Sequence, residues 1–480
     1  MHNQTRLHRR VMIQGLAGIA GSAILAACGG AETATSTTVP VSVAPTARVN
    51  TPSAAATISM TANSTVQGAT SSQPTITQAA MQNTAPASGM IDLLESGDSA
   101  VAGPLQQLSD SGLFQKAGVK VNLINPGGSD EQVDERLKAN RVAGQLPDLA
   151  VVSSASARIY VDANLAQPLE GIISSDTAFN GADLNPGLLA TGKLKGHQYA
   201  MPFLAGFLVM YYNPDDFQKA GLDANKPPQT FTELGNQAQQ IVAKNAARYG
   251  AVFAYDSDNM WPVQNFLASA GGSWTNADET KITFTTPQLQ SIMTFFSGLA
   301  KQHATAALTR QEAREAFYRG DLAMLVDSSS TLGTAKKTAK FDVRFTSYPI
   351  PDGGSRKTVP SSETLVMFTK DLMRQAAAWQ AIKQVIGQDG SAKIIEAGAG
   401  GLLAMSNAAN NNAAPMYPIL KTGLNDTSSA GGPWYQFPGT HGTEIWNILR
   451  NQVVAVLQGN KEPTDALKAA EADAQPLLAS

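Results

Sequence analysis

The 480-residue chain has a single cysteine, Cys28, and five histidines. A disulfide within the chain is therefore impossible, and no thiolate–imidazole cluster with metal-site spacing exists. Neither sign of charge dominates, because 35 Lys and Arg stand against 38 Asp and Glu for a net of −3. That balance, without a basic stripe, gives no electrostatic case for a nucleic-acid partner. Beyond Ala27 no apolar run is long enough to span a bilayer. From Gly29 to Gly89 there is no aromatic residue, and the only charges are Glu32 and Arg48. Such an Ala/Thr/Ser/Pro-dominated segment buries too little apolar area to offset the entropy of ordering it, so a disordered stalk is expected. As a flexible coil of about 60 residues its r.m.s. reach is on the order of 40 Å.

Catalytic signatures are missing as well. There is no G-x-S-x-G elbow and no H-E-x-x-H pair, and His197, His303 and His441 are scattered. "GLLATGK" (187–193) follows the phosphate-loop pattern until Leu194, where a Ser or Thr for magnesium is required, and "KGHQYAMP" follows instead of a helix. Asp215-Asp216 reads as the solvated start of a helix rather than as an acid–base pair. No enzymatic activity, cofactor or metal is expected; a secreted hydrolase and a structural surface lipoprotein are the competing readings.

What is present begins with the leader. Arg6, Arg9 and Arg10 precede an apolar, Gly- and Ala-rich run from Val11 to Ala27, the layout of a signal peptide over 1–27. Leu25-Ala26-Ala27-Cys28 resembles the lipobox of bacterial lipoproteins, in which the sulfur of the cysteine carries a diacylglyceryl group. Cys28 is thus the expected lipidation site, and 28–89 the linker behind it. The protein is expected to be exported and held at the outer face of the cytoplasmic membrane. Arg9-Arg10 before Met12 and Ile13 also resembles a twin-arginine signal, so the export route stays open.

Every Trp, Tyr and Phe lies in the 391 residues from Met90 onward, so the core is there, and a chain that long divides into at least two domains. "MIDLLES" (90–96), "VKVNLINPGG" (119–128), "PDLAVVSS" (147–154) and "LAMLVDSSS" (322–330) read as strands running into polar turns. Val133 and Leu137 fit one helix face. Thr230-x-x-Glu233 and Thr309-x-x-Glu312 have capping-box spacing, and Thr286-Pro287 opens a helix with Leu289, Ile292, Met293, Phe296 and Leu299 along one side. Two helices, near 442–458 and 463–478, end the chain. The alternation predicts an α/β protein with parallel strands.

Several segments carry a family resemblance. "GHQYAMPFLAGFLVMYYNPDDFQKAGLDANKPPQTFTEL" (196–234), "RYGAVFA" (248–254), "NFLASAGGSW" (265–274), "AREAFYRGDLAMLVDSSSTLG" (313–333), "AAAWQAIKQV" (376–385) and "VVAVLQGNKEPTDALKAA" (453–470) together resemble the family 1 extracellular solute-binding proteins. The resemblance spans essentially all of 90–480, with glycerol-3-phosphate, glycerophosphodiester and sugar binders nearest. It implies a type II periplasmic-binding-protein fold: 90–206 with 362–408 as one lobe, 207–361 with 409–480 as the other. The chain would cross near 205–210, 358–364 and 405–412, with a ligand cleft between the lobes. A monomer delivering a small carbohydrate or polyol to the permease subunits of an ABC importer is the implied function, a glycerophosphodiester the alternative.

Open α/β sheets bind ligands beyond the carboxyl ends of their strands, and Ser96, Ser129, Ser153-Ser154, Ser328 to Ser330 and Ser361-Ser362 mark such ends. Candidate contacts are Ser96, Ser129, Asp130, Ser154 and Glu363 in the first lobe, and Asp256, Trp261, Ser329, Trp434 and Tyr435 in the second. Sugars present apolar faces and hydroxyl edges, so flat aromatics beside polar groups suit them. Trp434-Tyr435 lies in a Gly/Pro-rich loop where no periodicity demands burial, and both ligand contact and simple loop packing suit the pair. Trp379 and Trp446 fall within helices and read as core, as do Tyr211 and Tyr212 within a strand; Trp274 fits either role. The glycerophosphate readers hold phosphate with an arginine in the loop before the penultimate helix; that position is Pro438 here. A tyrosine of theirs becomes Leu402 and an acidic residue becomes Ser154. No cleft-facing loop supplies a replacement arginine.

Overall fold

The computed structural model describes residues 89–96, 99–125, 130–255, 260–398, 400–428, 434–439 and 441–478. The leader, Cys28, the linker, Ser129 and Asp256 lie outside the described residues.

Twelve strands are named in chain order: β1 Met90–Leu94, β2 Lys120–Ile124, β3 Leu149–Ser153, β4 Lys193–Leu194, β5 His197–Gln198, β6 Ala200–Gly206, β7 Leu208–Tyr212, β8 Tyr249–Phe253, β9 Leu322–Ser328, β10 Arg344–Ser347, β11 Ser361–Met367 and β12 Leu403–Ala404. The first lobe is built on a six-stranded sheet, β12-β6-β11-β3-β1-β2, and the second on a four-stranded sheet, β10-β7-β9-β8. β4 and β5 form a hairpin of their own from the phosphate-loop-like stretch. The expected parallel order holds for β2-β1-β3 and for β8-β9. The other pairings, β3-β11, β11-β6, β6-β12, β10-β7 and β7-β9, are antiparallel. Parallel neighbours come from strand–helix–strand units, whereas β6, β11 and β12 belong to excursions between lobes. Hydropathy carries no signal for the direction of such a return.

The helices form where the sequence spacing puts them. Both capping boxes close, Thr230 on Glu233 and Thr309 on Glu312, and Gly320 ends the second of these helices at φ 84. Asn213 caps Pro214–Lys219 by accepting from the Asp215 amide. Leu289, Ile292, Met293, Phe296 and Leu299 are all buried on one side of Pro287–Lys301.

Two crossings are short. Phe207 alone separates β6 from β7, and a Cβ on Gly206 would come within 2.9 Å of Ser328 Oγ, so this first crossing admits no larger residue without a shift. The second runs through the buried Thr358 and Val359 into β11. Asn265 and Trp261 grip Val359 there: its amide donates to Asn265 Oδ1 at 2.9 Å and its carbonyl accepts from Trp261 Nε1 at 2.6 Å. Near 405–412, the place expected for the third, the helix Asn407–Ala413 packs on Gln388–Ala397 and β12. The helix Pro418–Thr427 follows and packs on both β12 and β10.

Strand alternation decides where the molecule is continuous and where it is split. Ile91, Leu93, Val151, Val209, Tyr211 and Leu325 all point into one apolar cluster that runs beneath both sheets. On the opposite face there are two clusters. Leu94, Val133, Leu137, Val152 and Tyr160 belong to the first lobe, and Met210, Trp261, Trp434, Trp446 and Leu449 to the second. The cleft opens on that divided face.

Candidate functional site

A cleft of about 440 Å³ lies between the two separate clusters. Two helices face each other across it. Asp130–Ala143 presents Asp134, Leu137, Lys138 and Arg141, and Gly442–Leu457 presents Thr443, Trp446, Asn447 and Arg450. Each set has i, i+3, i+4, i+7 spacing, one face of a 3.6-residue helix. The floor is Ser153, Ser156 and Tyr160 after β3, with Ser361 and Glu363 of the crossing strand β11. Glu363 pairs in register with Ser153 on one side and Leu204 on the other, which fixes it at the hinge end of the cleft.

The polar groups differ in how far they are already engaged. Asp134 accepts from Tyr160 Oη in a short hydrogen bond and from Ser156 Oγ at 3.0 Å. Burial pushes its carboxyl above the ordinary range, with those two hydrogen bonds opposing. Lys138 pairs with exposed Glu135 at 2.7 Å. Arg141 and Arg450, on opposite walls, have no carboxylate partner among the described residues. Two arginines thus supply cations from helices, although the loop position Pro438 has none.

Trp434 is 5% exposed and stacks on Trp261 with centroids 5.9 Å apart and planes 28° apart. It is a member of the second-lobe core, because the loop folds back onto the helix Trp261–Ser269. Its Nε1 is nevertheless buried without a hydrogen-bond acceptor among the described residues, while the residue lines the cleft. A buried N–H left unpaired costs roughly 1–3 kcal/mol. Trp261 has spent its own Nε1 on Val359. Tyr435 turns inward: its hydroxyl meets Thr275 Oγ1 at 3.0 Å, its amide donates to Gln264 at 2.9 Å, and burial pushes its phenol up to about 12. Trp446 is both core, edge-on to Trp274 at 4.8 Å, and cleft wall, with its Nε1 donating to Gln436 at 3.0 Å.

The remaining candidates separate. Ser154 is 1% exposed, its amide donating to Ser362 O at 2.8 Å and its Oγ lacking a partner among the described residues. Ser96, fully buried at the end of β1, likewise has an unpartnered Oγ. Its neighbour Glu95 is buried too, with Oε2 unpaired and its carboxyl pushed up to about 7 by desolvation. Ser329 sits at the first crossing rather than on the cleft wall, accepting from the Phe207 amide at 3.1 Å and donating to Gly401 O at 2.6 Å. Asp130 opens the helix that forms the first wall. Sequence reasoning looked to strand ends and loops, and so missed Asp134, Tyr160, Asn447 and Arg450. The polar stripe on each helix was the available signal.

The family model described as "Bacterial extracellular solute-binding protein" matches residues 93–392. A Brucella abortus (strain 2308) protein, named only for binding, is 26% identical over 364 residues, covering 72% of this chain and 82% of that one. Among solved structures, the cyclic α-maltosyl-1,6-maltose binding protein of Arthrobacter globiformis superposes with TM-score 0.70 at 20% identity, over 81% of this chain and 99% of that one. UgpB of Mycobacterium tuberculosis in complex with glycerophosphocholine gives TM-score 0.70 at 18% identity, over 82% and 98%. At such identities the superpositions show a shared fold.

Proposed function

The chain belongs to the bacterial extracellular solute-binding protein family, and on that premise we propose that it captures a small carbohydrate or polyol between its lobes for an ABC importer. The observation that carries this is the Trp434 Nε1, a buried donor without an acceptor at a cleft also lined by Trp446, Asn447, Gln436 and Glu363. A hydroxyl or ring oxygen would satisfy it, and the indole and aliphatic surfaces suit apolar sugar faces. The structural neighbours that bind sugars support the class. Lipidation at Cys28 would tether the protein to the outer face of the membrane, with the linker giving it reach to permease subunits.

A second reading, a glycerophosphodiester, is favoured by one specific feature. Arg141 and Arg450 line the cleft without carboxylate partners among the described residues, and guanidinium groups suit phosphate oxygens. The structural likeness to a glycerophosphocholine complex adds to it.

Thermal-shift screening with sugars, polyols and glycerophosphodiesters tests both readings. A solute at 100 times its Kd stabilises the folded state by about 2.7 kcal/mol, a readily measured shift. Stabilisation by neutral sugars supports the first reading and by glycerophosphodiesters the second. Turnover of a stabilising compound would move the protein to the enzymes.

A further inference from the structure

Outside the cleft lining, an ion pair joins the two lobes. Arg158 lies in the helix Ala157–Asp162, which follows β3 of the first lobe. Glu279 lies in the turn between the helices Trp261–Ser269 and Pro287–Lys301, in the second lobe. Their side chains meet fork to fork, Nη1 to Oε1 at 2.8 Å and Nη2 to Oε2 at 2.5 Å. The arginine is held from behind by Asp162, Nε to Oδ2 at 3.2 Å, and Asp162 is in turn paired with Lys195 at 2.6 Å. The side chains are only 17% and 32% exposed, so solvent screens the pair less than it does a fully exposed one.

Backbone geometry on the second-lobe side is unusual. Glu279 has φ 54, a left-handed conformation that favours glycine or asparagine. Asn276 pins the turn, its Oδ1 accepting from the Thr280 and Lys281 amides at 2.9 and 2.8 Å. Glu279 also meets the Tyr435 hydroxyl within its own lobe, and from its strained turn position its carboxylate reaches the arginine of the other lobe as well. The neighbours of Arg158, Ile159 and Tyr160, are themselves cleft residues, so the pair sits at the cleft's edge.

We propose that Arg158 and Glu279 form a clasp that sets how readily the cleft closes, and so tune solute affinity without touching the solute. The pair forms only when the lobes are together, so it favours the closed form whether or not the cleft is filled. Apparent affinity scales with the population of the binding-competent form, so a weaker clasp lowers affinity for every solute by the same factor. This inference rests on the reading that the cleft closes over its solute.

Hydrogen exchange on the full chain, without any solute, tests the clasp separately from that reading. Glu279→Gln accelerates amide exchange about three- to tenfold in residues 157–162 of the opposite lobe, and Arg158→Gln does the same to residues 276–281. The double variant exchanges no faster than the single ones, because both remove the same interaction. Asp162→Asn, which contacts Arg158 from within its own lobe, leaves 276–281 unchanged. Glu279→Gly removes the carboxylate while relieving the positive φ, and must reproduce the cross-lobe effect. Exchange that changes only in the substituted segment, for either residue, overturns the clasp.

Discussion

Replacing Trp434 separates its packing from its unused donor. Trp434→Ala removes a side chain that is 5% exposed and stacked on Trp261, and large-to-small changes of this kind cost about 3–5 kcal/mol. Trp434→Phe keeps a ring against Trp261 but deletes the N–H. The smaller ring forfeits about 1–2 kcal/mol of burial, while removing an unsatisfied buried donor returns about 1–3 kcal/mol. The two terms offset, so unfolding of the solute-free phenylalanine variant should lie within about 1 kcal/mol of the parent. Affinity behaves differently, because the donor now missing is the one a solute oxygen would occupy. A net hydrogen-bond contribution of about 0.5–1.5 kcal/mol predicts a roughly two- to tenfold weaker Kd. Urea unfolding without solute and titration calorimetry with the compound that gives the largest thermal shift read the two quantities independently. If Trp434→Phe destabilises as much as Trp434→Ala, or leaves Kd unchanged, the donor does not face the solute and the reasoning fails.

Glu95 gives a pH-dependent prediction: its folded carboxyl is pushed up to about 7 from 4.5 by burial, so the folded state binds the proton more tightly. Stability from this group is full below about pH 4.5 and is lost as pH rises through 7; Glu95→Gln should therefore stabilise at pH 8 by up to about 3 kcal/mol and change little at pH 4, measured by urea unfolding. A variant with the same pH profile as the parent would contradict it. Arg450→Ala should weaken glycerophosphodiester binding about tenfold and spare neutral sugars if phosphate is what that side chain reads; equal loss for both classes assigns it to the wall alone. Cys28→Ser should release the protein from membranes and remove the lipid adduct by mass spectrometry, whereas an unlipidated mature N-terminus elsewhere would refute the anchor.

Much of the second lobe was legible from local chemistry, because its helices carry their own start and stop signals. Thr230 with Glu233, Thr309 with Glu312, and Gly320 act within one turn, so spacing alone reveals them. Strand direction was not legible: β6 and β11 are apolar runs like any other, and their antiparallel pairing depends on which lobe the chain is leaving. Pro418–Thr427, which packs on both β12 and β10, is an amphipathic helix with nothing in its sequence to mark it as a bridge. The cleft residues were hardest to foresee. Asn447 and Arg450 read as the solvated side of an ordinary helix, and only the packing of the opposite lobe turns that side into a wall. For Trp434 the Gly/Pro-rich loop left contact and packing both open, and Trp261, far away in sequence, is what buries it.

A crystal structure of the full chain with the most stabilising compound from the thermal-shift panel tests the central claim most directly. The account predicts the solute between Asp130–Ala143 and Gly442–Leu457, with an oxygen within hydrogen-bond distance of Trp434 Nε1 and the lobes closed around it. A solute bound outside that cleft, or inside it with Trp434 Nε1 still unpaired, would contradict it.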